Sequence, residues 1–507
     1  MKKLLLIDLG DLRGELNEPL GIECISSRVI RKGNIKVDMQ WYSMTNSIPY
    51  DDLEQYDFIG LSMNIGTLPR FEEIHDFLAK SKKKCGPLIL GGCIPTFAYE
   101  QLIDRYEDIV CIYGEGEEPF FQLIQNYIND TFCIDERLLN ISNLAFKLNG
   151  VTQITDKKPL DLMAEETTVR NVSALEYIKR NHGIVRLEGS RGCSWNKCSF
   201  CCVSAKYADP SWRGFSIEKI TNELIELSNM GFHAPYFTDE DFFGQKYDRA
   251  IELGNSIIAL KKQGKIREDM NFFISILAAD AVCEAGKKAL AVLKEAGLRE
   301  VFLGIESLEK DQLLRYGKKA NVDINTQAMR YIEEIGLGID SGYILFDPEM
   351  SFDALGTNIQ YIGSLSLNQF DSRSLKRLRI QPLTQICTTS SGVITGELDV
   401  DNLEYPYTFR DERVSKVYYE YQQWEKADLT DSWKIQSASR GEVDEEFRYK
   451  LKSLLGQIRD LDFDVLKKIY ESIENHQEIV QEAAFAQQKE QKDRIIQEAF
   501  MLIREYQ

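Results

Sequence analysis

The chain has 507 residues and a net charge of −19. At about 150 residues per unit that length predicts roughly three domains, and the acidic balance weighs against a broad nucleic-acid footprint, which needs a basic surface. A hydrophobic fraction of 43% with 28% charged residues excludes global disorder, and no apolar run approaches the ~20 residues that cross a bilayer.

The first 160 residues alternate apolar runs with helical spacing. Strands are predicted at residues 4–8, 35–39, 57–62, 88–90 and 109–113, and helices at 19–30 (ended by Gly33), 71–82 and 119–127. Together they predict an α/β, doubly wound, five-stranded parallel sheet over residues 1–160. Ligands of such sheets bind beyond the carboxyl ends of the strands. Here those ends are Ser62-Met63-Asn64, Gly91-Gly92-Cys93 and Gly114-Glu115-Gly116-Glu117. Asn149-Gly150, between LAFKL and VTQIT, predicts a hairpin. Residues 161–182 are polar and read as a linker.

A second βα series follows, with strands predicted at residues 184–188, 236–238, 272–277, 301–305, 343–346 and 378–381. Leu227, Leu293 and Ile332 each stand four residues before a glycine (Gly231, Gly297, Gly336), which predicts the same left-handed helix cap in successive units. Six parallel strands are too few for a closed eight-stranded barrel and predict a partial (β/α)6 barrel over residues 183–400. Residues 401–507 read as mainly helical, with the aromatic tract at 405–424 packing as core and the polar run at 482–492 as a solvated helix or tail.

Eleven cysteines, an odd number in a large chain, do not make a secreted disulfide framework and point to a reducing cytoplasm. Cys193, Cys198, Cys201 and Cys202 fall within ten residues. Thiolates so spaced bind zinc or an iron–sulfur cluster. A structural zinc site needs four ligands, yet the chain has no second C-x2-C and only four histidines, none at H-x3-H spacing. Three thiolates in one loop suit a cubane with one iron left open. The trio is Cys193, Cys198 and Cys201, or alternatively ends at Cys202. Cys387, a lone cysteine, reads as a small buried hydrophobe.

The loop SRGC-SWNK-CSFC after a strand resembles the cluster loop of the radical S-adenosylmethionine (radical SAM) superfamily. The usual pattern there is C-x3-C-x-aromatic-C; this chain has one residue more between the first two cysteines, and Phe200 before Cys201 favours that cysteine as third ligand. Further along, YFTDEDFFG (236–244), VFLGIES (301–307), KDQLLRYGKK (310–319) and GYILFDP (342–348) resemble later strand ends of the family, in order. The resemblance implies a 4Fe-4S cluster on Cys193, Cys198 and Cys201. It also implies S-adenosylmethionine held in part by Glu240 and Glu306, the other acids of the 239–241 trio reading as solvated.

The amino-terminal sheet resembles the cobalamin-binding domain of the cobalamin-dependent radical SAM subclass, on PLGI (19–22), IGLS (59–62), LGG (90–92) and YGEGE (113–117). This implies cobalamin contacts at Ser62, Gly91, Gly92, Gly114, Glu115 and Gly116. The D-x-H-x-x-G motif is absent, since DLGDLR (8–13) and DLRGEL (11–16) both lack the histidine. What the resemblance implies is a cytoplasmic enzyme that makes a 5′-deoxyadenosyl radical and methylates an unactivated carbon of a natural-product or peptide substrate. An electron donor such as flavodoxin or ferredoxin would serve it, with no nucleic acid and no membrane. The alternatives are a radical cyclase or rearrangement enzyme that uses cobalamin without methyl transfer or not at all, and a non-enzymatic metal-binding interaction protein. No catalytic side chain is assigned.

Overall fold

The computed structural model describes residues 2–10, 15–33, 35–41, 48, 50–81, 86–365, 375–426, 428–477 and 485–506. Parts of the DLGDLR and DLRGEL tracts, and the start of the polar run at 482–492, lie outside the described residues.

Strands β1 (Lys3–Asp8), β2 (Lys36–Trp41), β3 (Phe58–Ser62), β4 (Leu88–Gly91) and β5 (Ile109–Ile112) form the parallel part of the first sheet, in the order β2-β1-β3-β4-β5. Because side chains alternate along a strand, Leu5, Ile7, Ile59 and Leu61 enter one apolar core. Leu4, Leu6, Phe58 and Ile89 enter a second core on the other face. Helices Leu20–Lys32, Leu68–Lys80, Cys93–Arg105 and Glu117–Tyr127 connect the strands. The order reverses at β1 and β3, which opens a crevice at their carboxyl ends.

The Asn149-Gly150 turn has left-handed φ at both residues (52° and 78°) and joins β6 (Leu144–Leu148) to β7 (Val151–Ile154). The hairpin adds to the sheet antiparallel beside β5, making seven strands. The sequence pattern placed the hairpin but not its partner. The partner is set by Leu144, Ala145 and Phe146, whose burial continues the sheet's cores, while β7 is left as the exposed edge.

Residues 161–182, expected to link the two sheets, carry a helix at Val172–Arg180 whose Ala174, Leu175 and Ile178 are buried. Just before it, Arg170 is 3% exposed and pairs with Glu18 and, at 3.0 Å, with Glu223. Glu18 lies just before the helix Leu20–Lys32 of the first domain and Glu223 in the helix Ile217–Asn229, so one guanidinium ties three parts of the chain.

The second sheet is parallel, in the order β8 (Arg186–Leu187), β11 (Tyr236–Phe237), β12 (Phe272–Leu277), β13 (Leu298–Glu306) and β14 (Gly338–Tyr343). A parallel bridge between Phe346 and Arg377, with Leu378 N–H donating to the Phe346 carbonyl at 2.7 Å, takes the sixth position. The fifth strand lies a few residues before the predicted 343–346 because Gly338–Tyr343 (GIDSGY) has no apolar run. Its Asp340 and Ser341 are buried, and Asp340 is matched by Arg440. Gly231, Gly297 and Gly336 are left-handed, at φ 85°, 115° and 68°, as the repeated cap requires. A small antiparallel pair, β9 (Ser190–Arg191) with β10 (Arg213–Gly214), was not predicted; it brackets the cysteine loop.

Helices Glu412–Lys426, Leu429–Arg440, Glu445–Glu474 and Ala486–Tyr506 make up the C-terminal region. Tyr407, Phe409, Tyr418, Tyr421 and Trp424 of the aromatic tract join the barrel core. The amino ends of β13 and β14 are closed by ion pairs of Glu300 with Lys452 and Asp340 with Arg440. Between barrel and helices, a loop with bridges Ile394–Tyr407 and Asp399–Glu404 reaches back to the first sheet. Asp401 accepts from Leu68 N–H at 2.8 Å, its carbonyl accepts from Gly66 N–H, and Leu403 enters the first sheet's core. Among the described residues no helix is long and apolar enough to cross a membrane.

Removing one member of a buried ion pair leaves the others uncompensated, at a cost of about 3–5 kcal/mol. Arg170→Met is therefore expected to destabilise the protein by about that amount in urea unfolding, and a loss below 1 kcal/mol would show that Arg170 is not a tie between the sheets.

Candidate functional site

The cysteine loop leaves β9 through Gly192, whose φ is +82°. A Cβ there would stand 2.3 Å from the Ser211 carbonyl oxygen, so only glycine lets the chain press against residues 210–211. Asn196 is also left-handed (φ 38°), which closes the four residues between the first two cysteines into a tight bend. Trp195 Nε1 donates to the Gly317 carbonyl at 2.8 Å, Ser199 N–H to Tyr316 at 2.9 Å, and Ser199 Oγ to Arg315 at 2.8 Å. The ring of Phe200 meets Tyr316 edge-on at 5.0 Å. The KDQLLRYGKK segment is thus the bed on which the loop lies.

After burial, the largest cause, charge repulsion from Cys193 raises the Cys198 thiol, and repulsion from Cys202, Cys198 and Cys193 raises Cys201, so the four cysteines are electrostatic neighbours. Burial pushes the Cys198 thiol up to about 11 and Cys201 up to about 12, with Lys318 opposing the rise at Cys198. Three such thiols ionise together only beside compensating positive charge. Cys202 packs against the first sheet's core and has Cys93 and Lys206 as charged neighbours. Among the described residues no group of three His, Cys, Asp or Glu side chains is arranged to hold a single metal ion.

The three acids after β11 were expected to include solvated ones; Asp239 and Asp241 are instead 3% and 0% exposed. Asp239 accepts from Gly189 N–H at 3.0 Å and from Ser190 Oγ. Asp241 accepts from Ser194 N–H at 3.0 Å and from Gly244 N–H at 3.0 Å, and so holds the loop's first turn. Glu240 accepts from Lys206 Nζ and Tyr207 OH, both at 2.8 Å, and from Gly192 N–H at 3.2 Å. Burial raises the Glu240 carboxyl, but Lys206 and these hydrogen bonds outweigh it and hold the group below its ordinary range. Glu306 stands where β13 loses register with β14, at φ 65°, a conformation that costs a non-glycine residue about 1–2 kcal/mol. It pairs with Lys318 at 3.3 Å, and Lys318 is in turn beside Cys198 and Cys201.

A cleft with about 860 Å³ of empty space, part of it open to solvent, lies between the two sheets. Ser62, Gly91, Gly92, Gly114, Glu115 and Gly116 all line it, facing Glu188, Arg191, Lys206 and Tyr207 of the barrel side. A Cβ on Gly21 or Gly91 would meet nothing within 4 Å, so both present bare backbone to free space. Gly92 differs: its φ is +98° and a Cβ would strike the Met63 carbonyl oxygen at 2.6 Å. Glu115 is already engaged, with Arg191 at 3.0 Å, Arg213 at 3.0 Å and Leu160 N–H at 3.1 Å. Arg191 also pairs with Glu117 at 2.6 Å and Glu188 at 2.8 Å. Arg191, Lys206, Tyr207 and Lys318 were not picked out from the sequence; the signal available was that Arg191 and Lys206 flank the cysteines and Lys318 follows the GIES turn.

Residues 187–350 match the Radical SAM superfamily model. The chain is 28% identical over 358 residues to 4'-phospho-dehydrooxetanocin synthase of Priestia megaterium, covering 64% of this chain and 45% of that one. It is 26% identical over 349 residues to hopanoid C-3 methylase of Methylococcus capsulatus, covering 66% and 61%. The chain therefore spans less than half the length of the first of these relatives. Among solved structures, the cobalamin-dependent S-adenosylmethionine radical enzyme OxsB, with aqua-cobalamin and S-adenosylmethionine bound, superposes with a TM-score of 0.79 at 21% identity, over 92% of this chain and 72% of that one. The radical S-adenosylmethionine methyltransferase TsrM from Kitasatospora setae, with cobalamin and a 4Fe-4S cluster bound, gives 0.65 at 14% identity, over 93% and 100%. The barrel segment, residues 187–350, is thus the part of the chain that matches the radical SAM superfamily. The fold of the chain, with the amino-terminal sheet ahead of the barrel, is the one seen in OxsB and TsrM.

Burial, opposed by its hydrogen bonds, pushes Asp239 up to about 7. A carboxyl that binds its proton more tightly when folded stabilises fully below its unfolded value near 4. That contribution is lost as pH rises through the folded value. Between pH 4 and 7 the wild type is expected to lose up to about 1.4 kcal/mol per pH unit relative to Asp239→Asn, measured by urea unfolding at several pH values. Parallel curves for the two proteins would refute the assignment.

Proposed function

We propose that the protein is a cobalamin-dependent radical SAM enzyme that methylates an unactivated carbon of a small-molecule or peptide substrate, and that it takes its electron from a carrier such as flavodoxin or ferredoxin. The observation that carries this is the shared wall. Lys206 and Tyr207, which line the glycine-floored cleft, hold Glu240 beside Gly192, next to the first cysteine of the loop.

The residues suit the three groups. Cys193, Cys198 and Cys201, electrostatic neighbours in one loop, suit a 4Fe-4S cluster with one open iron. Glu240 and Glu306 suit the ammonium and hydroxyls of S-adenosylmethionine, since each already accepts from a lysine of the chain itself. Bare backbone at Gly21 and Gly91 suits a broad flat ligand such as a corrin. When bound, these groups supply reductive cleavage of the sulfonium to a carbon-centred radical and delivery of a methyl group. The chain's own work is geometric. Asp241 and the KDQLLRYGKK bed hold the cysteine loop in place, and Arg191 fixes the cleft against it.

A second reading drops methyl transfer. It is favoured by the relative named a synthase rather than a methylase. Product mass separates the two, because methylation adds one methyl per turnover.

Anaerobic reconstitution with iron and sulfide tests the proposal. The wild type is expected to bind iron and to release 5′-deoxyadenosine from S-adenosylmethionine on reduction. Cys193→Ala, Cys198→Ala and Cys201→Ala should each abolish the cluster's visible absorbance while Cys202→Ala keeps it. The reverse pattern would overturn the ligand choice. Gly91→Leu starts from a Cβ that meets no protein atom within 4 Å and extends into the cleft, so it should leave fold and cluster intact and weaken cobalamin binding about tenfold or more. Unchanged cobalamin binding would remove the corrin from that cleft.

A further inference from the structure

Glu240 is held by three donors that differ in freedom. Gly192 N–H, 3.2 Å from Oε2, is backbone, fixed where a Cβ would stand 2.3 Å from the Ser211 carbonyl oxygen. Tyr207 OH, 2.8 Å from Oε1, belongs to a residue 5% exposed, its ring covered by the Lys206 ammonium at 4.7 Å and the Arg213 guanidinium at 5.5 Å. Lys206 Nζ, 2.8 Å from the same Oε1, is different: its side chain is 40% exposed and lines the glycine-floored cleft. Of the three donors, only the lysine can leave Glu240 without unpacking the protein.

Charge decides what makes it leave. Glu240 is half-buried and carries one negative charge, so a second ammonium at its oxygens repels the first. The acids that line the cleft do not take the lysine over. Glu115, Glu117 and Glu188 all pair with Arg191, and Glu115 also with Arg213. A displaced Lys206 therefore faces the cleft as a cation for which the cleft's own acids are already spent.

We propose that Lys206 couples the two ligand sites: a ligand ammonium that pairs with Glu240 displaces the lysine into the cleft, where it donates to an oxygen acceptor on the cleft's occupant. The inference rests on the reading of Glu240 as the ammonium contact of S-adenosylmethionine and of the cleft as the corrin site. Cobalamin presents amide and phosphate oxygens as acceptors. With no acceptor in the cleft the displaced ammonium is uncompensated, and S-adenosylmethionine binds against that cost; an occupant that accepts from Lys206 removes it. Linkage then requires each ligand to raise the affinity of the other by the same factor. Lys206 is thus a positioning residue that makes the two sites fill together.

The test uses the full-length protein reconstituted anaerobically with iron and sulfide, and reads affinities by calorimetry. In the wild type, hydroxocobalamin should tighten S-adenosylmethionine binding about fivefold or more, and S-adenosylmethionine should tighten hydroxocobalamin binding equally. 5′-Methylthioadenosine, which keeps the nucleoside and lacks the ammonium, should bind with the same affinity whether or not hydroxocobalamin is present. Lys206→Met should bind S-adenosylmethionine more tightly than the wild type when cobalamin is absent, and no more tightly when it is added; a merely structural lysine would give weaker binding instead. Lys206→Arg, which keeps the cation, should restore the coupling. If both ligands bind the wild type but independently, or if methylthioadenosine couples as strongly as S-adenosylmethionine, the exchange at Lys206 is overturned while the proposed function stands; this comparison needs no variant. Failure of the wild type to bind either S-adenosylmethionine or hydroxocobalamin would overturn both.

Discussion

The arrangement depends on one buried guanidinium. Arg191 lies two residues before the first cysteine of the loop and pairs with Glu188 from the barrel and with Glu115 and Glu117 from the first sheet. Three acids around one cation would repel one another without it; burial works to lower the arginine's pKa, but Glu117 and Glu188 outweigh it and hold the guanidinium's pKa well above the ordinary value. A bidentate, planar cation also fixes direction as a lysine would not. The position of the glycine-rich cleft relative to the cysteine loop follows from this contact, since the same short stretch of chain belongs to both.

A second regularity concerns the acids. Glu240 and Glu306, from different strands, each hold an ammonium of the chain, Lys206 and Lys318. Each lysine also stands beside cysteines: Lys206 near Cys202, Lys318 near Cys198 and Cys201. Partly buried carboxylates need a counter-charge, and here it is internal, so both acids are held in place before any ligand arrives.

Local chemistry made much of this legible in the sequence. The cysteine spacing, the paired glycines and the left-handed caps at Gly231, Gly297 and Gly336 are set within a few residues and survived unchanged into the fold. What the sequence concealed was non-local. The strand Gly338–Tyr343 carries Asp340, which reads as surface until Arg440 arrives from a later helix. The burial of Asp239 and Asp241 comes from hydrogen bonds to the loop fifty residues earlier, invisible to composition or period. Glu115 could be read as facing a ligand from its place after a strand, but not as already occupied by Arg191 and Arg213.

Asp401 gives the fold a temporal order. The helix Leu68–Lys80 starts with its first amide bound to a carboxylate encoded more than three hundred residues later, and Leu403 completes the same apolar core. During synthesis the amino-terminal sheet therefore emerges lacking one wall, and it keeps an open flank until the barrel has been made. The half that would receive the larger ligand is completed only by a segment made after the cysteine loop has left the ribosome.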